Sequence, residues 1–171
     1  MPIQRLNHAV LYVRDLARTL ALYRDVLDFR VVVDVPGQAA FLQAPGSTND
    51  HDLGLFQIGA GAGASQAGRS TVGLYHLAWE VDTLAELDRI RGLLVAHGAL
   101  VGASDHGTTK ALYAQDPDGI EFEVSWLVPA DRLDPDGPVE IRPRPLDLAA
   151  EIARYGADTL GGVGVSIPAP T

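Results

Sequence analysis

Residues 7–17, NHAVLYVRDLA, return 68 positions later as residues 75–85, YHLAWEVDTLA. Histidine, valine, leucine and alanine coincide at the second, seventh, tenth and eleventh positions of the two stretches. Each stretch is a β-rich run of alternating residues that leads into a helix cap and the apolar spacing of a helix. Such a repeat indicates one supersecondary unit written twice, and the predicted fold rests on it.

The same order of elements extends outwards from both copies. The first half is predicted to hold a strand, a helix and three strands, over residues 6–13, 16–27, 29–35, 39–43 and 51–58. The second half is predicted to hold the same series, over residues 73–81, 84–96, 99–103, 111–115 and 120–126. Asp15 is the expected cap of the first helix, and Asp82 or Thr83 is the expected cap of the second. The sequence therefore describes a βαβββ unit twice.

The two units are module one (residues 5–58) and module two (residues 73–126). Residues 59–72 join them and are rich in Gly, Ala and Ser without an apolar face, which is typical of a flexible linker. A phosphate-binding glycine loop is disfavoured because its characteristic spacing is missing. We expect the modules to pair within one α+β domain, residues 1–127, as a curved mixed sheet around a metal cleft with the helices outside.

Residues 128–171 lie outside the repeat and form a C-terminal extension. Five prolines keep its first half extended, and residues 146–155 have the spacing of a short amphipathic helix. The Asp-Pro-Asp-Gly sequence at residues 134–137 is followed by proline and lacks a preceding His-Tyr strand, so we interpret it as a plain turn. Residues 161–171 are weakly patterned. We interpret the extension as a packing or oligomer-contact element.

The composition of the 171 residues narrows the class of protein. A net charge of −9 argues against nucleic-acid binding, which requires a basic surface. The sequence contains no cysteine, so a metal would have to be held by His, Asp or Glu. No apolar run has the length of a signal peptide or of a membrane-spanning helix. We expect a soluble, cytoplasmic protein, and a homo-oligomer because small sheets leave edges that need covering.

Three residues are candidate metal ligands. His8 and His76 occupy matching places at the first strand of each module, and repeat symmetry would bring them to one cavity from opposite sides. On the last strand of module two, Glu123 is preferred to Glu121, which stands two residues after the Gly119 turn and nearer the cleft mouth. Two imidazoles and one carboxylate leave octahedral positions open, as in non-heme Fe(II) oxygenases. A lone histidine would instead be explained as a hydrogen-bonded structural residue.

Three further residues have side chains suited to proton transfer beside such a metal. His51 begins the last strand of module one, where an imidazole can move a proton or stabilise an oxygen anion. The alternative for His51 is a loop-end histidine that faces solvent. His106 and Tyr113 are expected to hydrogen-bond a substrate oxygen as it loses its proton. His97, at a helix end before Gly98, is assigned no chemistry, because a cation there is favoured by the helix dipole.

One stretch also resembles a known signature. Residues 104–126, SDHGTTKALYAQDPDGIEFEVSW, resemble the signature of extradiol ring-cleavage dioxygenases. The matching residues, separated by gaps of five, two, one and three, are His106, Leu112-Tyr113, Asp116-Pro117, Gly119 and Glu123. With the paired modules, His8 and His76, the chain resembles the vicinal oxygen chelate superfamily over about residues 5–126. That superfamily includes glyoxalase I, bleomycin-resistance proteins and extradiol dioxygenases.

The resemblance implies a single-domain extradiol dioxygenase of the catechol 2,3-dioxygenase type. Fe(II), or less often Mn(II), would bind a catechol-type substrate and O2 at its open positions. The implied metal ligands are His8, His76 and Glu123. The implied catalytic residues are His51 as the acid–base group, and His106 and Tyr113 as the groups that hold the substrate oxygens.

Two other functions are alternatives. A glyoxalase-like lyase or isomerase resembles a four-ligand site whose first module supplies a glutamate from its last strand. Module one has no glutamate, and the predicted strand carries His51 and Asp52 instead. A metal-free, drug-binding resistance protein would use the same cleft, but it would not need the three ligands and the three catalytic candidates together.

Overall fold

Both halves of the sequence fold as βαβββ modules, as the repeat predicts. The computed structural model describes residues 2–3, 5–67, 70–133 and 143–162. In chain order the strands and helices are β1 Ala9–Val13, α1 Leu16–Leu27, β2 Arg30–Val35, β3 Ala39–Gln43, β4 Leu53–Gln57, β5 Leu77–Val81, α2 Leu84–Ala96, β6 Leu100–Asp105, β7 Thr109–Gln115, β8 Glu121–Leu127, β9 Arg144–Pro145 and α3 Leu148–Tyr155. The predicted turn at residues 134–137, and most of the weakly patterned segment 161–171, lie outside the described residues.

The bounds of α1 and α2 agree with the prediction because local signals set them. The Asp15 side chain accepts a hydrogen bond from the backbone N–H of Arg18 at 3.1 Å. The Thr83 hydroxyl accepts one from the backbone N–H of Glu86 at 3.2 Å. These caps satisfy donors that a helix leaves open in its first turn. None of the described helices has the length and apolar character needed to cross a membrane.

The first strand of each module begins later than predicted. β1 starts at Ala9 rather than residue 6, and β5 starts at Leu77 rather than residue 73. Each pairs in parallel with the last strand of its own module, and the ladder begins only at these residues. His8 and His76, which we expected within the strands, therefore lie directly before them.

The first compact unit contains a four-stranded mixed sheet in the order β1-β4-β3-β2. The two compact units of the chain comprise Met1–Gln66 with Asp116–Gly119, and Ala67–Gln115 with Ile120–Thr171. Leu11 and Val13 are buried on one face of β1, whereas Val10 and Tyr12 are 50% and 69% exposed on the other. The predicted alternation of β1 is therefore correct.

The second compact unit has the same strand order with one strand added, β5-β8-β7-β6-β9. The added strand comes from the C-terminal extension and pairs antiparallel with Ser104 and Asp105 at the end of β6. The buried Trp126 indole donates a hydrogen bond to the Thr159 carbonyl at 3.2 Å and lies 5.4 Å from the Tyr155 ring. The described part of the extension thus packs on the sheet of module two.

The Asp-Pro-Asp-Gly turn between β7 and β8 belongs to the first compact unit. Asp116 accepts a hydrogen bond from the backbone N–H of Asp118 at 2.8 Å, and Gly119 has a φ of 82°, which favours glycine. The Asp118 carboxylate accepts two further hydrogen bonds from Arg14, from its backbone N–H at 2.8 Å and from Nη1 at 2.9 Å. The turn is therefore held both by its own sequence and by an ion pair.

Candidate functional site

In module one, the rings of His8 and His51 lie against each other with centroids 4.5 Å apart and planes inclined by 37°. Nδ1 of His8 lies 2.6 Å from Oδ1 of Asn7, and Nδ1 of His51 lies 3.1 Å from Oδ2 of Asp50. Because an amide oxygen and a carboxylate only accept, each Nδ1 carries a proton, and the neutral imidazole keeps its lone pair on Nε2. The His51 side chain is 18% exposed and meets the Phe41 ring at 5.1 Å. Both imidazoles are thus oriented with Nε2 available for a metal or a proton.

In module two, His76 and Glu123 converge. Nε2 of His76 lies 3.3 Å from Oε2 of Glu123. Glu123 is paired with Ala78 in the parallel ladder, which brings its side chain beside the residue that precedes β5. Nδ1 of His76 is buried and has no hydrogen-bond partner within the described residues. His76 is therefore not a fully hydrogen-bonded structural histidine.

Tyr113 connects this pair to His106. It lies directly opposite Glu123 in the β7–β8 ladder. Burial, followed by the charge and the hydrogen bond of Glu123, raises the pKa of Tyr113 to about 12, so the phenol is protonated at neutral pH. Its oxygen lies 2.9 Å from Nε2 of His106. The Tyr113 hydroxyl therefore lies between the imidazole of His106 and the strand position of Glu123.

The structure thus brings four of the six predicted residues into one chain of contacts within module two. Their order is His106, Tyr113, Glu123 and His76. An aromatic neighbour that the sequence did not indicate is Tyr75, whose ring centroid lies 4.6 Å from that of His76. Its side chain is exposed, and no periodic pattern marks it. The other two predicted residues, His8 and His51, form the separate pair in module one.

The two modules differ at the position of the carboxylate. Glu123 is paired with the second residue of β5, and the residue paired with the second residue of β1 is Gly54. Phe41 pairs with Gly54 in module one, as Tyr113 pairs with Glu123 in module two. Aligning the two repeats through these strands would have matched Phe41 with Tyr113. Asp52, just before β4, accepts hydrogen bonds from three donors of the preceding loop. Module one therefore has no carboxylate at the position of Glu123.

The donor atoms suit a divalent metal. Two donors bound about 2.1 Å from a metal on adjacent octahedral positions lie roughly 3 Å apart. The 3.3 Å between Nε2 of His76 and Oε2 of Glu123 is close to that separation. Asn7 orients His8 as outer partners orient ligand histidines. Within the described ranges no three His, Asp or Glu side chains form a group able to hold a metal, so the pair His76–Glu123 is what the structure itself brings together.

Residues 5–124 match the Glyoxalase/Bleomycin resistance protein/Dioxygenase superfamily. The match covers well over half of the chain, and the βαβββ modules agree with it. The chain belongs to this superfamily, which the sequence resemblance predicted.

Two relatives are named as dioxygenases. A catechol-2,3-dioxygenase of Bacillus subtilis is 34% identical over 119 residues, which cover 70% of this chain and 40% of that protein. A biphenyl-2,3-diol 1,2-dioxygenase of Rhodococcus globerulus is 32% identical over 134 residues, which cover 76% of this chain and 68% of that protein. The chain spans about two fifths of the Bacillus protein, so the activity of the whole relative does not transfer by length alone.

A solved structure confirms the fold. A glyoxylase/bleomycin resistance protein/dioxygenase domain from Frankia superposes with a TM-score of 0.61. The match covers 81% of this chain and 98% of that domain, at 23% sequence identity. At this identity the likeness establishes the fold only.

Proposed function

We propose that the chain is a non-heme Fe(II)-dependent extradiol dioxygenase that cleaves a catechol-type ring with O2. The observation that carries the proposal is the continuous contact chain His106–Tyr113–Glu123–His76 within module two. It joins two groups suited to a metal to two groups suited to a substrate oxygen. The names of the Bacillus and Rhodococcus relatives support the same reaction.

The proposed ligands are His76, Glu123 and His8. The first two are supported by their convergence, and His8 is supported by its matching place before β1 and by the orientation that Asn7 gives it. When bound, Fe(II) would bring the catechol and O2 together and pass electrons between them. Mn(II) is the alternative metal with the same ligand preference.

The remaining residues would manage protons. Tyr113 stays neutral because its pKa is raised to about 12, so it acts through hydrogen bonds rather than as a base. Nε2 of His106 is engaged with the Tyr113 oxygen, so its Nδ1 would be the ring nitrogen that exchanges a proton with a substrate hydroxyl. His51 holds its proton on Nδ1 toward Asp50, which leaves Nε2 as the site for proton exchange. Together they would orient the diol and move its protons.

The edge of the first sheet supports self-association. β2 ends the order β1-β4-β3-β2, and three of its side chains stay 38–46% exposed, namely Val32, Val33 and Val35. An apolar strand at a sheet edge is commonly covered by another chain. A homo-oligomer therefore belongs to the proposal.

The test combines metal content with turnover. Protein loaded anaerobically with Fe(II) is mixed with a panel of substituted catechols and then with air, while O2 uptake and a coloured ring-cleavage product are recorded. We expect about one metal ion per chain and O2 consumption with at least one catechol. Glu123→Gln should lose both, whereas the matched variant Glu121→Gln, two residues away on the same strand, should keep both.

The outcomes separate the alternatives. Metal binding without O2 uptake across the panel would contradict the dioxygenase and favour a lyase or isomerase. Failure to bind metal would favour a metal-free, drug-binding protein. Full metal retention by Glu123→Gln or by His8→Ala would refute the ligand assignment, and His97→Ala serves as the exposed-histidine control.

A further inference from the structure

A buried ionic cluster lies on the face of module two opposite to Tyr113. The Lys110 side chain is 1% exposed, with Nζ 2.5 Å from Oδ1 of Asp105 and 3.0 Å from Oε2 of Glu151. Successive residues of a strand point to opposite faces, so Lys110 and Leu112 share the buried face of β7 and Tyr113 faces the candidate site. A buried ammonium is costly unless it is paired. The two carboxylates are therefore what keeps Lys110 inside.

The C-terminal extension supplies half of this cluster. Glu151 belongs to α3, and Arg144 belongs to β9, where its Nη2 lies 3.4 Å from Oδ2 of Asp105. Nζ of Lys110 also lies 5.8 Å from the ring centroid of Tyr155 in α3. Two cations and two carboxylates balance. Asp105 alone pairs with Lys110 within module two, and the packed extension adds the second carboxylate, Glu151, together with Arg144 at the exposed side of Asp105.

The same Asp105 also fixes the turn that carries His106. Its Oδ1 accepts a hydrogen bond from the backbone N–H of Gly107 at 2.8 Å. Gly107 has a φ of 78°, and the backbone N–H of His106 closes the turn on the Thr109 carbonyl at 2.9 Å. Asp105 points to the cluster, whereas the His106 ring reaches Tyr113. The Asp105 carboxylate therefore both binds Lys110 and holds the turn that carries His106.

We propose that Lys110 is a positioning residue for His106, and that Glu151 and Arg144 of the extension complete the device. The role of His106 toward substrate rests on the proposed function, whereas its placement does not. When the cation is removed, Asp105 and Glu151 repel each other, and when Glu151 is neutralised, Nζ of Lys110 loses one of its two carboxylate anchors and is free to shift. In either case the Asp105 carboxylate loses its fixed orientation. The turn then loosens, and His106 leaves its place beside Tyr113. The extension is thus a supporting part of the site.

The first readout needs no activity. Ring signals of the five histidines are recorded by ¹H–¹³C NMR in metal-free, full-length protein, and His106→Gln identifies the signal of His106. We expect Glu151→Gln to shift or broaden that signal and to leave the His97 signal unchanged. Glu86→Gln is the matched control, because Glu86, like Glu151, forms an ion pair within the same unit, with Arg89 at 2.6 Å, but on the surface of α2. It should leave the His106 signal unchanged.

The second readout is kinetic. Outer partners of functional side chains typically contribute roughly 10- to 100-fold, so Glu151→Gln should lower kcat of the Fe(II)-loaded protein by that factor. The loss should vanish in a His106→Gln background, since residues that act through one another are not additive. Lys110→Met should behave in the same way, and where it does not fold, Glu151→Gln decides alone.

Two results would overturn the proposal. The first is a His106 signal that does not move in folded Glu151→Gln. The second is a double variant whose kcat shows the full losses of Glu151→Gln and His106→Gln together. If the wild type consumes no catechol while the His106 signal shifts as expected, the proposed function fails and the positioning role stands.

Discussion

Substituting Gly161 by alanine perturbs the contact between the C-terminal extension and module two. An added Cβ would lie 2.1 Å from the carbonyl oxygen of Leu127 and 2.6 Å from Nε1 of Trp126, whereas ordinary contacts begin near 3.4 Å. One neighbour is backbone, and the other is an indole that is fully buried. Interiors packed at this density cannot absorb such an overlap, so the segment must move by on the order of 1 Å.

Two hydrogen bonds depend on the same placement. The backbone N–H of Gly161 donates to the Asp82 carbonyl at 2.8 Å, and the Trp126 indole donates to the Thr159 carbonyl at 3.2 Å. Overpacking typically costs about 1–3 kcal/mol, and each lost hydrogen bond costs about 0.5–1.5 kcal/mol. We therefore expect Gly161→Ala to lower the free energy of unfolding by about 2–6 kcal/mol. If the substitution detaches the segment completely, the decrease in the free energy of unfolding cannot exceed the free energy with which the segment packs on module two.

The assay is urea unfolding followed by tryptophan fluorescence, with Gly92→Ala as the matched control. Gly92 lies within α2, and an added Cβ meets nothing within 4 Å. The same substitution should there stabilise the protein by up to about 1 kcal/mol, because alanine is the better helix former. A Gly161→Ala variant within about 0.5 kcal/mol of the wild type, the usual range of neutral surface changes, would refute the packing of the extension on Trp126.

Two further outcomes follow from the site and from the ionic cluster. Tyr113→Phe keeps the ring but removes the hydroxyl, so O2 uptake should fall about 10²- to 10³-fold, the typical effect of losing one preorganised hydrogen bond; undiminished uptake would contradict its role. Burial raises the pKa of Asp105, but Lys110, the Gly107 amide and Arg144 outweigh this and hold it below its usual value. The stability that Asp105 contributes is therefore present above its unfolded pKa and lost as pH falls through the lowered one. In urea unfolding, the free energy of unfolding of the wild type should exceed that of Asp105→Asn at pH 6, and the two values should converge below about pH 4. A difference that does not change with pH would refute the pairing.

The fold could be predicted where signals are local and repeated. The caps Asp15 and Thr83, with the apolar faces behind them, set α1 and α2 to the residue. The starts of β1 and β5 could not be predicted. Residues 6–8 and 73–76 continue the strand pattern towards the N-terminus, but no partner strand is paired with them. A strand end is decided by its neighbour in the sheet, which the local sequence does not contain.

The site divides in the same way. The repeat pointed to His76, and the spacing after the Gly119 turn pointed to Glu123, and the structure brings these two together. Lys110 gave no signal, since a lysine in a strand usually faces solvent. Its burial depends on Asp105 from the neighbouring strand and on Glu151 from a helix far along the chain. Such a contact exists only once the extension is packed.

The difference between the modules bears on which chemistry the scaffold serves. A Cβ at Gly54 would meet the side chains of Val10 and Phe41 at 3.4 and 3.5 Å, which is ordinary contact, so the fold itself does not demand glycine there. A glutamate on the last strand of module one is what the lyase alternative implies, and module one contains none. With the proposed two histidines and the single carboxylate of Glu123, more of the metal's positions stay open to reactants. A reaction in which both oxygens of a diol and O2 bind the same metal requires those open positions, whereas a lyase acting on one substrate does not. The glycine in module one therefore favours the dioxygenase over the four-ligand lyase.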